Sequence, residues 1–141
     1  PPWSDEPPPE AEVNDRNVLV VLLNKQDQLL VDGELMEIVR LRDKAKKFLT
    51  NYGRDPELSD SPTEAVISLQ NDRGTSYDAY IQVQNELKAA YREVREEYVA
   101  KESTKYGGRD LDELTKDEWK ELIVDIIPMR LSEAEPKSVG E

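Results

Sequence analysis

The side-chain types that most often carry enzyme chemistry are partly missing from this sequence. Its 141 residues include no cysteine and no histidine, which removes thiol nucleophiles, the usual zinc ligands and the imidazole base of a catalytic triad. Carboxylates are plentiful, and the pairs Glu96-Glu97 and Asp110-x-Asp112 contain the groups that a glycosidase-like acid and base would need. Because 31 acidic residues make such pairs inevitable, a solvated helix surface is the favoured interpretation.

Asp110 and Asp112 could also open a calcium-binding loop, with Glu121 at its twelfth position. Such a loop requires an oxygen ligand at its fifth position and glycine at its sixth. Leu114 and Thr115 occupy those positions, so we predict no calcium site here. The sequence predicts no other metal site and no cofactor.

One polar turn, residues 71–76, has the setting of an anion-binding loop, because a strand is predicted before it and a helix after it. The favoured alternative is that Asp72 and Gly74 form the turn while Thr75 caps the helix. The chain contains no P-loop, dinucleotide-binding or nucleophile-elbow pattern. We therefore predict no catalytic residue and a protein that is not an enzyme.

The net charge limits the choice of partners. A formal charge of −12 repels phosphate backbones, so nucleic acid is not expected as a partner. A basic partner would be attracted, although acidic surfaces also serve solubility. The longest apolar run, Val18–Leu23, is far shorter than the ~18–20 residues of a membrane-spanning helix. Because the sequence starts with Pro1 and not with methionine, we expect a fragment of a longer protein.

Composition divides the chain into three parts. Residues 1–16 are rich in proline and acidic side chains and cannot bury enough apolar surface to order themselves, so we predict a disordered arm. Residues 17–133 are predicted to form one domain, and residues 134–141 a flexible tail. Trp3 is the large apolar group of the arm and a candidate partner contact, because aromatic residues dominate interface hot spots.

Apolar periodicity predicts the order of the secondary-structure elements. The expected elements are strands 17–23 and 28–31 around a turn at 24–27, a helix at 38–52, a strand at 65–69, a helix from Tyr77 to before Gly107, a helix opened by the capping box Thr115–Glu118, and a strand at 129–132. This ββαβααβ order predicts an α+β fold with helices packed on one face of a small mixed β-sheet. An all-α fold is the alternative.

The same periodicity predicts which side chains form the core. The expected core residues are Val18, Val20, Leu22, Val66, Ile67, Leu41, Phe48, Ile81 and Leu87. Tyr77 is expected to be buried by its helical phase. The helix that it begins would reach roughly 40 Å at ~1.5 Å per residue, whereas short strands cover ~17–20 Å. Its later turns are therefore expected to be less buried than its earlier ones.

The first predicted strand has almost no polar alternation. Such a strand is buried on both faces, or its second face is covered by another chain. Val18, Val20 and Leu22, together with Trp3, are therefore the candidate contacts with a partner or with a second copy of the chain.

Three stretches resemble the periplasmic domain of the ExbD/TolR family. Residues 17–34 resemble its opening hairpin, residues 65–87 resemble its strand, Asp-containing turn and Tyr-led helix, and residues 128–136 resemble the ending of Bacteroidetes-type ExbD proteins. The resemblance covers roughly residues 17–136 in the expected order. The chain departs from shorter members at the loop 54–63 and at 100–127.

The resemblance implies a function in energy transduction. It implies a transmembrane helix before the arm, an anchor in the bacterial inner membrane, a domain in the periplasm, and a homodimer inside an ExbB-like ring. Such a subunit passes the energy of the proton gradient to a TonB-like protein, which drives active transport across the outer membrane. A TolR-like role in the Tol–Pal cell-envelope system is one alternative, and a periplasmic hydrolase that uses a carboxylate pair is an alternative of a different class.

Overall fold

A computed structural model describes residues 14–133, which fold into a five-stranded sheet and three helices. The strands are β1 (Val18–Leu23), β2 (Leu29–Val31), β3 (Glu34–Met36), β4 (Val66–Asn71) and β5 (Leu131–Glu133), and the helices are α1 (Leu41–Leu49), α2 (Tyr77–Lys101) and α3 (Lys116–Lys120). A π-helical segment, Glu121–Ile126, continues α3. The predicted α+β fold is confirmed, and β3 is an additional strand.

The sheet is mixed, with the strand order β3-β2-β1-β4-β5. β1 pairs antiparallel with β2 and parallel with β4, and β5 is parallel to β4. The apolar strand β1 is therefore the central strand. β1 is apolar and would be an unfavourable edge strand. Because it pairs with β2 on one side and β4 on the other, none of its backbone edge is exposed.

Local turn chemistry fixes the two hairpins. In the predicted turn after β1, the Asn24 side-chain oxygen accepts hydrogen bonds from the backbone amides of Gln26 and Gln28 at 3.0 and 2.9 Å. Asp32 and Gly33 both have positive φ angles, 50° and 85°, as the two central residues of a type I′ turn require. This turn joins β2 to β3 and creates the strand that the sequence analysis did not predict.

The helices begin and end close to the predicted places. The helix predicted from Ile38 starts as a 3-10 turn and is α-helical only from Leu41. α2 begins at Tyr77 and ends at Lys101, before Gly107 as predicted. Its cap is Ser76, whose hydroxyl accepts from the Ala79 amide at 3.1 Å, so the predicted capping role of Thr75 is wrong.

The core lies between the helices and one face of the sheet. Leu19, Val21 and Leu23 of β1 are fully buried, as are Ile67 and Leu69 of β4. The predicted core residues Leu41, Phe48, Ile67 and Leu87 are confirmed as buried. α1 packs along α2 and completes the layer.

The predicted core positions in β1 are wrong by one residue. Val18, Val20 and Leu22 are half-buried, while their neighbours along the strand are buried. Val66 is likewise half-buried beside buried Ile67. The reason is the two-residue period of a strand, which sends alternate side chains to opposite faces. Because β1 carries apolar residues on both faces, its sequence does not indicate which face packs against the helices.

The predicted phase and burial gradient of α2 are also wrong. Tyr77 is 76% exposed and Ile81 is half-buried, because the buried stripe begins at Ala79 and continues through Val83 and Leu87. The later turns are buried at least as well as the earlier ones: Ala90, Tyr91, Val94, Arg95 and Val99 are all buried. We predicted that the later turns of α2 would extend beyond the sheet and be more exposed. They are instead buried.

Residues 102–133 supply the cover over the later turns of α2. Tyr106, Leu111, Leu122 and Ile127 from this segment are buried in the same core cluster. Arg95 of α2 is 5% exposed and donates two hydrogen bonds to the Ile127 carbonyl, at 3.1 and 2.8 Å. The strands are shorter than α2, but this difference in length does not expose the later turns of the helix. Residues 102–133 fold back and cover them.

The predicted arm and tail lie mostly outside the described residues. Residues 1–13, with Trp3, and residues 134–141 are in this group. Asp15–Asn17 form a 3-10 turn that leads directly into β1. Within residues 14–133, no helix has the length and apolar character that crossing a membrane requires.

Candidate interaction surface

The sheet face opposite the core, called here the open face, carries a row of three leucines. Leu22 of β1 is paired with Leu30 of β2, and Leu30 with Leu35 of β3. Paired residues point to the same side of a sheet, so the three side chains are neighbours. Leu22 and Leu30 are half-buried and Leu35 is 68% exposed. The row runs from the centre of the sheet to its edge.

A second part of the open face extends over β4 and β5. Val20 pairs with Ser68, which pairs with Ser132, and Val18 pairs with Val66. Gln70 lies beside Leu22 and donates to the Ser68 hydroxyl at 3.2 Å. The open face is therefore apolar over β1, β2 and β3, and it carries small or neutral polar side chains over much of β4 and β5.

No side chain at these positions is charged, although 35% of the chain is. Parallel strands such as β1 and β4 are usually covered on both faces. A contiguous neutral surface with exposed leucine is typical of a protein–protein interface. The geometry supports binding of another protein surface.

The helical side of the molecule has the opposite character. Arg42 of α1 contacts Glu86 at 3.0 Å and Glu93 at 2.7 Å on α2, and Lys46 contacts Glu93 at 3.0 Å and Glu97 at 2.6 Å. Hydrogen bonds from Lys46 and then from Arg42 lower the pKa of the Glu93 carboxyl. These basic side chains of α1 and acidic side chains of α2 form ion pairs with one another, and the pairs link the two helices.

The structure brings three of the four predicted contact residues together. Val18, Val20 and Leu22 lie on the open face, whereas Trp3 lies outside the described residues. Sequence reasoning missed Leu30 and Leu35. The signal that could have found them is Asp32-Gly33, a strong type I′ hairpin pair that sets a third strand in register with the second.

Three of the four acidic side chains considered for catalysis contact basic side chains, and Asp110 is the N-cap of the 3-10 turn Leu111–Glu113. Glu96 pairs with Arg92 at 2.7 Å, and Glu97 with Lys46 at 2.6 Å. Asp112 is 84% exposed and contacts Arg92 at 2.8 Å. Within residues 14–133, no group of three or more acidic side chains is placed to hold a metal ion.

The polar turn at 71–76 has a structural role. The Asp72 carboxylate accepts from the Gly74 amide at 2.7 Å, as a turn-forming aspartate does. The Ser76 amide at the start of α2 donates to the Asp27 carboxylate at 2.7 Å, so a side chain of the protein already occupies this donor. The turn-forming roles of Asp72 and Gly74 are supported, whereas Ser76 and not Thr75 caps the helix.

Comparison with known proteins gives the family. The family model described as "Biopolymer transport protein ExbD/TolR" matches residues 2–95, which is most of the chain. No curated protein matches the sequence. Members of this family are anchored in the inner membrane and carry a periplasmic domain, and they are transport-associated proteins. The mixed sheet and its helices are consistent with that periplasmic domain, and the chain belongs to the ExbD/TolR family of biopolymer transport proteins.

Proposed function

We propose that this chain is the periplasmic part of an ExbD-type subunit that works as a homodimer in a proton-driven inner-membrane motor. An ExbB-like ring and a TonB-like protein are its partners, and active transport across the outer membrane is the process that it energises. The family match supports energy transduction in biopolymer transport. The chain acts as a coupling module and carries no reaction of its own.

The observation that carries the proposal is the uncharged open face. A domain that passes on mechanical work needs surfaces that bind other chains, and obligate interfaces are more apolar than ordinary surface. The strand positions that define the open face carry no charged side chain, and its Leu35 is 68% exposed. A second copy of the chain is the proposed occupant, since self-association brings two neutral faces together and keeps the −12 charge of each chain on the outside.

A cross-linking experiment tests the homodimer. The chain has no cysteine, so Val20→Cys on the open face and Lys88→Cys on the exposed side of α2 each provide a single thiol. We expect mild oxidation to produce covalent dimers from the Val20→Cys variant and far fewer from the Lys88→Cys variant. Equal yields from both positions would contradict dimerisation through the open face.

Introducing a charge at one of two exposed positions is a second test of the dimer. Leu35 and Tyr77 are both exposed, at 68% and 76%, but only Leu35 lies on the open face. Leu35→Glu should shift the protein from dimer to monomer in analytical ultracentrifugation, because it buries a charge in the proposed interface. Tyr77→Glu should leave the dimer intact.

Co-purification from membranes separates the ExbD-type role from the TolR-type alternative. The membrane-anchored parent protein is expected to co-purify with ExbB-like and TonB-like proteins. Recovery of Tol–Pal components in place of a TonB-like protein would assign the TolR-type role. Recovery of no ring subunit would overturn the proposed function.

A further inference from the structure

The point where the chain enters the domain is held by a set of side-chain contacts that the family match does not explain. Arg16 precedes β1 by two residues, and its guanidinium reaches the loop between α1 and β4. It donates to the Leu58 carbonyl at 2.8 Å and to the Asp55 carbonyl at 3.1 Å, and it pairs with the Asp60 carboxylate at 3.1 Å. One side chain thus binds three residues of this loop.

Asn17 strengthens the same junction. Its side chain donates to the Asp60 carboxylate at 3.0 Å and accepts from the Asp60 amide at 2.7 Å. Asn17 is 3% exposed, so its amide would cost free energy without these partners. Asp60 is therefore held by Arg16 and Asn17 together.

The loop is in turn tied to the end of α1. The buried Asn51 side chain donates to the carbonyls of Ser59 and Asp55 at 2.8 and 2.9 Å, and it accepts from the Asp55 amide at 3.0 Å. The Ser59 hydroxyl donates to the Phe48 carbonyl within α1. A continuous polar path runs from Arg16 through the loop into α1.

We propose that Arg16, Asn17 and Asp60 form an entry clamp that transmits a pull on the preceding chain into α1 as well as into β1. Without the clamp, such a pull would act on the first residue pairs of β1 alone. With it, the loop and α1 share the pull, and several hydrogen bonds in different directions must break before β1 bears the whole force. The inference rests on the proposed function only in assuming that force reaches the domain through the residues before Asn14.

Single-molecule force measurements on the full 141-residue chain, held at its two termini, test the clamp. Arg16→Ala and Asp60→Ala should each raise the unfolding rate at constant force on the order of tenfold, because each removes charge-assisted hydrogen bonds. Arg73→Ala is the matched control, since Arg73 is exposed and far along the chain from the clamp. It should unfold at the wild-type rate.

A second pulling geometry distinguishes a clamp from ordinary stabilisation. A handle attached at Lys88→Cys on α2, with the other at the C-terminus, applies force without passing through Arg16. The Arg16→Ala substitution should leave this unfolding rate unchanged. An equal acceleration in both geometries, or none when pulling from the N-terminus, would overturn the proposal.

A conservative variant covers the case in which an alanine variant does not fold. Asp60→Asn preserves the shape of the side chain but removes its ion pair with Arg16, so an intermediate acceleration is expected from the N-terminus. Wild-type behaviour of this variant would contradict a role for the ion pair. These force measurements need no dimer and no partner, so the clamp and the proposed function can fail independently.

Discussion

The two faces of β1 have the same kinds of side chain and different surroundings. Leu19, Val21 and Leu23 are buried beneath the helices, whereas Val18, Val20 and Leu22 are half-buried on the open face. The helical side ends in a layer of ion pairs between α1 and α2, and the open face ends in neutral side chains. Hydrophobicity alone therefore does not identify the core, because the two faces of β1 have the same residue types.

Adjacent leucines in β1 provide the sharpest test of this difference. Leu23→Ala removes a fully buried side chain and should lower the free energy of unfolding by about 2–5 kcal/mol. Leu22→Ala acts on the half-buried open face and should cost about 1 kcal/mol in the monomer, since less apolar area is lost. Urea denaturation of both variants measures the contrast. Equal losses would mean that both faces are core.

The helical side contains a buried charge, Arg95, and a comparison with the exposed Arg92 tests its contribution to stability. Arg95 is 5% exposed, donates twice to Ile127 and lies 5.9 Å from the Trp119 ring centroid. Arg95→Ala should cost about 2–3 kcal/mol, because it leaves the buried carbonyl without its donors. Arg92 lies at the same distance from Trp119 but is exposed, and Arg92→Ala should cost about 1 kcal/mol or less.

Acid should weaken the helical side and spare the open face. The pKa of Glu93 is lowered from its ordinary 4.5, first by the Lys46 hydrogen bond. A folded-state pKa below the unfolded value gives stability that is present above pH 4.5 and is lost as the pH falls through the folded pKa.

Unfolding measured between about pH 3 and 6 checks this dependence. Glu93→Gln should flatten the acid-induced loss of stability. Leu22→Ala should leave its slope unchanged, because neither Leu22 nor the residues paired with it, Leu30 and Gln70, carry a titratable side chain. A flattened slope in the Leu22→Ala variant would break the comparison.

The smallest effect is expected at the rejected calcium loop. Asp112 is 84% exposed and forms one surface ion pair with Arg92, so Asp112→Ala should change stability by about 0.5 kcal/mol or less. Thermal unfolding with calcium and with a chelator should give the same midpoint for the wild-type protein. A calcium-dependent midpoint would show that the loop was wrongly rejected.

Most elements of the fold could be predicted because their signals are local. The capping box at Thr115 appears with both of its hydrogen bonds, and Asn24 forms the predicted turn. β3 was missed although Asp32-Gly33 signals a hairpin, because the three residues after it are too few to show a period. The phase of α2 was misjudged because Tyr77 and Ile81 follow a helical spacing equal to that of the buried stripe.

The sequence by itself determined the order of the elements other than β3, the mixed sheet and the family resemblance, since turn residues, caps and periodicity act over a few positions. Tertiary structure alone decided which face of β1 is core, because both faces are apolar and only the packing of the helices separates them. It also decided the burial of Arg95 and the joining of Arg16 to Asp60. These contacts link residues 32 and 44 positions apart, a separation at which no local pattern predicts proximity.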